Sequence, residues 1–215
     1  FRLQSQQKNH IPFYTNVILY FGDDVHFNGF GLDGRLSGKI NVFKEENRQM
    51  LTTGFVAVNN GVYKAYGQEL SIERGRLIFQ GPYENPGLDI RAVRTIEDDA
   101  SSQGVKAGLD IAGTLQHPKS TVFSIPAVDD STAMALLVTG KPLDQLKAGD
   151  AYALIAAVSS LGVEGGSNIT SDISHFFGID EITIKDDKTL GQNSLLIGKN
   201  ITPRLVVRYV VGLFD

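Results

Sequence analysis

The sequence predicts a mainly β protein built on an antiparallel sheet, with a helical insert near residues 129–177. Three observations predict it. Apolar and polar residues alternate through most of the first 125 positions, the period of strands with one dry face and one wet face. After Pro126 the apolar spacing changes to three and four, the period of a helix. From residue 178 the strand-like pattern returns. The chain therefore divides into strands over 1–128, helices over 129–177, and strands over 178–215 that rejoin the same sheet.

Taken in order, Leu36, Gly38, Ile40 and Val42 alternate with Ser37, Lys39 and Asn41. Residues 51–58 repeat the pattern, and Asn60-Gly61 supplies the signal of a type I′ hairpin before a strand at 62–66. Short strands follow at 70–72 and 75–80, then clearer ones through Leu88, Ile90 and Ala92 and through Val105, Ala107, Leu109 and Ile111. Strand spacings of roughly 8–14 residues suit a meander and are too tight for helical crossovers. Asp129, Asp130 and Ser131 offer caps for a helix carrying Met134, Leu137 and Val138, which Gly140 stops. Residues 142–146 read as a short helical turn, with Pro at a tolerated first position. Asp150 caps a second helix striped by Leu154, Ile155, Val158 and Leu161, and a third runs over 168–177 to Gly178. The closing strands are 181–184, 194–197 and 204–211.

Composition excludes several classes of function. The chain has 215 residues and a net charge of -4, without the basic excess that a nucleic-acid binder carries. It has no cysteine, hence no disulfide, zinc–thiolate site or thiol nucleophile. The longest uncharged apolar stretch, residues 151–163, is shorter than the ~18–20 residues needed to cross a bilayer. With Phe at position 1 and no signal peptide, the sequence reads as part of a longer protein whose anchor lies elsewhere.

Catalytic patterns are missing. Gly29, Gly31 and Gly34 match G-x-G-x-x-G, but an alternating strand follows where a dinucleotide site needs a helix, so the segment reads as a tight turn. The four histidines are scattered, and the acidic pairs at 23–24, 129–130 and 186–187 read as solvated turns and helix caps. The expectation is a protein that performs no chemistry and needs no cofactor or metal. An apolar sheet face must nevertheless be covered. Ten such side chains left wet would forgo roughly 15–30 kcal/mol, more than the ~5–15 kcal/mol net stability of a domain. The cover is either the protein's own second sheet or a hydrophobic guest, and periodicity alone leaves both open.

Specific segments narrow this. The run at 66–92 (YGQELSIERGRLIFQGPYENPGLDIRA) resembles the C-terminal domain of the TamB family, which is AsmA-like and belongs to the translocation and assembly module of Gram-negative bacteria. The resemblance continues in order through 108–118, 123–126, 136–143, 177–181 and 201–215, about two thirds of the chain. It implies an elongated curved sheet folded like a taco around a hydrophobic groove. It further implies a periplasmic location, as part of a protein anchored in the inner membrane. The partners it implies are phospholipid acyl chains moving between the membranes, an outer-membrane β-barrel of the TamA type, and nascent outer-membrane proteins such as autotransporters. Family members continue beyond the final Gly-Leu-Phe-Asp into further strands, which this chain lacks.

Two sets of residues follow from the combined reading. Leu36, Ile40, Val42, Phe55, Leu77, Phe79, Leu88, Ile90, Val105, Leu109 and Ile111 are expected to line the lipid groove, in a trough that ten strands at ~4.8 Å would make roughly 50 Å long. At Phe55 the face is ambiguous, because Val56 and Val58 make the other side nearly as apolar. Leu205, Val207, Tyr209 and Val211 are expected to form an edge for strand pairing with a β-barrel partner. The helical stripe is expected to cap one end of the sheet. A self-closed sheet serving as an extracellular binding module is the third reading.

Overall fold

The computed structural model describes residues 14–45, 48–65, 68–98, 101–179, 181–187, 192–202 and 205–212. Seven strands, β1 (Tyr14–Gly29), β2 (Leu32–Glu45), β3 (Leu51–Ala65), β4 (Gln68–Pro82), β5 (Gly87–Asp98), β6 (Ser101–Thr114) and β7 (His117–Ile125), follow one another across a single antiparallel sheet. Each pairs with its sequence neighbour, as the short connections require. The sheet does not close on itself.

Cross-strand register fixes one face. Leu36 lies opposite Val58, and Val56 opposite Leu77. Leu77 in turn meets Leu88, Ile90 meets Ile111, and Leu109 meets Val122. The other face is ionic over β4–β6. There Arg74 pairs with Asp89 at 2.6 Å, Arg91 with Asp110 at 3.3 Å, and Lys106 with Glu73 at 3.2 Å. Arg91 also stacks over the Phe123 ring at 4.0 Å. These exposed pairs contribute little individually; they keep that face in water and so settle which face folds inward.

The strands are longer than alternation suggests, because bulges break the period. Asn60-Gly61 makes no hairpin: β3 runs straight through it, with Asn60 at φ 50. The β2–β3 register slips by one residue here, and β4 slips by one against β5 beside it. The two extra residues lie in adjacent strands whose mutual register is unbroken. The turn signal thus serves a paired bulge, and the segments expected at 51–58 and 62–66, and at 70–72 and 75–80, are each one strand. The G-x-G-x-x-G segment is the β1–β2 hairpin, as expected of a tight turn. Phe30 (φ 52) and Gly31 (φ 79) occupy its centre, both at the positive φ of a type I′ turn.

The helical layer is α1 (Asp130–Thr139), a 3-10 turn at Leu143–Gln145, α2 (Ala148–Leu161) and α3 (Gly166–Phe177). Asp129 caps α1 by accepting the Thr132 N–H at 2.9 Å, and Gly140 ends it in the left-handed conformation. Asp150 lies inside the first turn of α2, where its carboxylate accepts the Lys147 N–H at 2.9 Å. Helix α1 is apolar all round and correspondingly central, with residues 133–138 buried. With Leu154, Ile155, Val158, Ile169 and Ile173 it packs on Ala107, Leu109 and Val122 of β6 and β7. The layer therefore covers one end of the sheet. The exposed side of β7 is also occupied, through a bridge from Ser120 to Val163.

The closing strands differ from expectation. Strands β8 (Glu181–Asp187), β9 (Gln192–Thr202) and β10 (Leu205–Gly212) form a separate three-stranded sheet in the order β10-β9-β8. Among the described residues they do not pair with the first sheet, whose last strand, β7, is followed by the helical layer. The seven strands alone give a width of roughly 29 Å at ~4.8 Å per spacing, shorter than the expected trough.

Candidate functional site: an apolar groove

Where the helical layer stops, the inner face of the sheet is left uncovered by the described residues. A groove of about 520 Å³ remains there, within the ~300–1,000 Å³ typical of ligand pockets. Its walls come from every strand of β1–β6: Phe27, Leu32, Leu36, Val56, Val58, Leu70, Ile72, Leu77, Ile90, Ala92, Leu109 and Ile111 among them. Leu137 and Val138 of α1 and Leu161 of α2 close the end nearest β7. Among the described residues, those with polar side chains that border the groove are Tyr63, Gln68 and Arg76. A surface of this kind offers apolar contact with few polar groups.

The floor owes its shape to glycine. Gly34, Gly61 and Gly75 are buried around Val58 and Ile72, and a Cβ on Gly61 would stand 2.6 Å from Val58 Cγ1. Glycine at these three positions leaves the room that the Val58 and Ile72 side chains occupy. Further along, Gly38 (φ 127) and Gly54 (φ 117) take conformations open essentially to glycine alone, and each brings a neighbouring carbonyl inside the distance a Cβ would need.

Of the residues expected to line the groove, Leu36, Leu77, Ile90, Leu109 and Ile111 do stand in its wall. Ile40, Val42, Phe79 and Leu88 share that face of the sheet but lie beyond the cavity. Val105 packs against the helical core. Phe55 stands on the opposite face, paired with Lys39 and Ile78 and 46% exposed. Its parity follows from Val56, whose partners Gly38 and Leu77 are both inward. Leu109 is only 3% exposed, so most of it belongs to the core beneath the helices.

Residues not anticipated complete the wall: Phe27, Phe30, Val58, Leu70, Ile72, Leu137 and Val138. The alternation of Val56 and Val58 was a usable signal. Leu70 and Ile72 were visible as strand residues, but a bulge separates their phase from that of Leu77.

One cation holds the helical layer to the sheet. Arg94, on the inward face of β5, donates through Nη1 to the Leu137 carbonyl at 3.3 Å, in the last turn of α1. A cation there complements the negative end of the helix. Burial pushes its guanidinium below the ordinary arginine value.

The expected partner edge lies in β10. Among the described residues β10 pairs only with β9, Val207 opposite Lys199, Tyr209 opposite Ile197 and Val211 opposite Leu195, with Leu205 at the start of the ladder. Also among the described residues, no helix is long and apolar enough to cross a membrane.

The chain is 28% identical over 212 residues to a protein of Haemophilus influenzae described as "Translocation and assembly module subunit TamB". The match covers 98% of this chain and 16% of that protein, so the chain spans about a sixth of its relative's length. The family model for the TamB C-terminal domain matches residues 3–215, nearly the whole sequence, and the chain belongs to that family.

Proposed function

We propose that this domain is a non-enzymatic, periplasmic part of a TamB-like protein that shelters phospholipid acyl chains between the inner and outer membranes and thereby supports outer-membrane biogenesis. The observation that carries this reading is the open apolar groove, which the side chains of the described residues leave unfilled. Each methylene taken into such a surface is worth about 0.8 kcal/mol. That supports a binder of long hydrocarbon chains and gives no preference among head groups. Membership of a family whose described relative is a translocation and assembly module subunit supports the setting.

The β10 edge supports a second role beside the first. Among the described residues β10 has no partner on its outer side, and a strand edge through Leu205, Val207, Tyr209 and Val211 is suited to strand addition with a TamA-like outer-membrane barrel or a nascent outer-membrane protein.

One comparison tests both. Ile90 is partly exposed in the groove wall, so Ile90→Arg places a charge there while leaving the helical core intact. Purified without detergent, the folded variant is expected to carry at least about tenfold less phospholipid by mass spectrometry than the unsubstituted protein. Val207→Pro is expected to keep its lipid and to weaken capture of a barrel partner. Equal lipid on both chains, with Ile90→Arg folded, refutes the conduit. Leu109→Asp is unsuitable as a test, because it buries an unpaired carboxylate under the helices and unfolds the protein.

A further inference from the structure

The residue at the tip of the β1–β2 hairpin is unusual in two independent ways. Phe30 has φ 52, a conformation that glycine and asparagine adopt readily and a bulky aromatic residue seldom does. It is also 94% exposed, so little contact with the described residues offsets the strained backbone. The turn beneath it is fixed. The Lys64 N–H donates to the Gly31 carbonyl at 2.8 Å, and a Cβ on Gly31 would stand 2.7 Å from the Lys64 carbonyl oxygen. Asn28 donates to Asp33 at 2.8 Å across the same hairpin. The backbone is thus clamped while the ring above it is free.

Position gives this pairing meaning. Phe30 belongs to the groove lining, at the end away from the helices, beside Phe27, Leu32 and Tyr63. An asparagine here would relieve the strain and lose the ring. Residues held in costly backbone conformations concentrate at functional sites.

We propose that Phe30 is the mouth residue of the groove, its ring folding over the hydrocarbon of a bound lipid and holding it against Phe27 and Tyr63. This rests on the reading of the groove as an acyl-chain site. Strain that lowers the stability of the empty protein is retained because the exposed ring supplies contact only when a ligand is present.

The sequence contains no tryptophan, so Phe30→Trp introduces a single fluorescent reporter at the tip. The probe is a vesicle of phosphatidylethanolamine and phosphatidylglycerol in which part of the phospholipid carries brominated acyl chains. After mixing and removal of the vesicles, the indole emission of Phe30→Trp is expected to shift to the blue and to be quenched by the bromines. Phe30→Asn is expected to raise Tm by about 2–4 °C, the response of a domain of this size to relief of roughly 1 kcal/mol. The same variant is expected to retain about tenfold less phospholipid. Lipid that remains on Phe30→Trp while its indole emission is unchanged, or full retention by Phe30→Asn, overturns the role of Phe30 and leaves the groove standing. Absence of lipid from the unsubstituted protein overturns the groove reading and this proposal with it.

Discussion

Gly140→Ala is the substitution whose cost can best be worked from the structure. Gly140 ends α1 at φ 78, and its N–H donates to the Leu136 carbonyl at 2.9 Å. A β-carbon there raises the backbone energy by about 1–2 kcal/mol for the left-handed conformation alone. That carbon would also stand 2.5 Å from Arg94 Nη2. The guanidinium, at the end of a flexible side chain, can move aside, and the displacement gives up its contact with the end of α1, worth about 0.5–1 kcal/mol. The total is roughly 1.5–3 kcal/mol, a fall in Tm of about 3–12 °C on the usual scaling for this size. Thermal unfolding of four proteins checks it: the unsubstituted chain, Gly140→Ala, Arg94→Met, and the double variant. The two substitutions should be coupled by about 0.5–1 kcal/mol, because the Arg94 contact can be lost only once. Gly149→Ala is the matched control, since a Cβ there meets nothing within 4 Å in the first turn of α2. It should be neutral or raise stability by up to about 1 kcal/mol. If Gly140→Ala costs no more than Gly149→Ala, or if the cycle shows no coupling, Arg94 does not clamp the helical layer to the sheet.

Two further outcomes follow from the helices. Burial pushes the Asp129 carboxyl up, but hydrogen bonds from the Thr132 backbone and hydroxyl and from the Ser131 N–H outweigh it and hold the group below the ordinary value of 3.8. A depressed folded value stabilises the protein above the unfolded pKa and loses that effect as the pH falls through the folded one. Asp129→Ala should therefore cost about 1 kcal/mol at neutral pH, a difference that closes when Tm is followed below about pH 4. Leu154, fully buried between α1 and the rest of the layer, should cost about 2–5 kcal/mol as Leu154→Ala by denaturant unfolding.

Much of the framework was legible because its signals are local. Leu88, Ile90 and Ala92, or Val105 to Ile111, alternate without interruption, and each set occupies one face of one strand. Asp129, Gly140 and Gly178 act on backbone groups within a turn of themselves, so the helix ends stand close to where composition puts them. Reading fails where the period is broken. Nothing local distinguishes Asn60-Gly61 in a bulge from the same pair in a hairpin; the difference is that β2 and β4 continue on either side. Phe55 and Val56 are equally apolar, and only the partners across the ladder assign them to faces.

The sequence by itself determined an antiparallel meander with one apolar face, a following helical layer, and the family to which the chain belongs, since alternation, capping and ordered motifs are properties of neighbouring residues. The tertiary structure decided which part of that face is core and which part is groove. Leu109 and Ile90 carry the same pattern on adjacent strands, yet the helices cover the first and leave the second open. It also decided that the last three strands form their own sheet. Both outcomes depend on contacts between residues far apart in the chain, where a packed helix excludes either water or a further strand, and no local period records that choice.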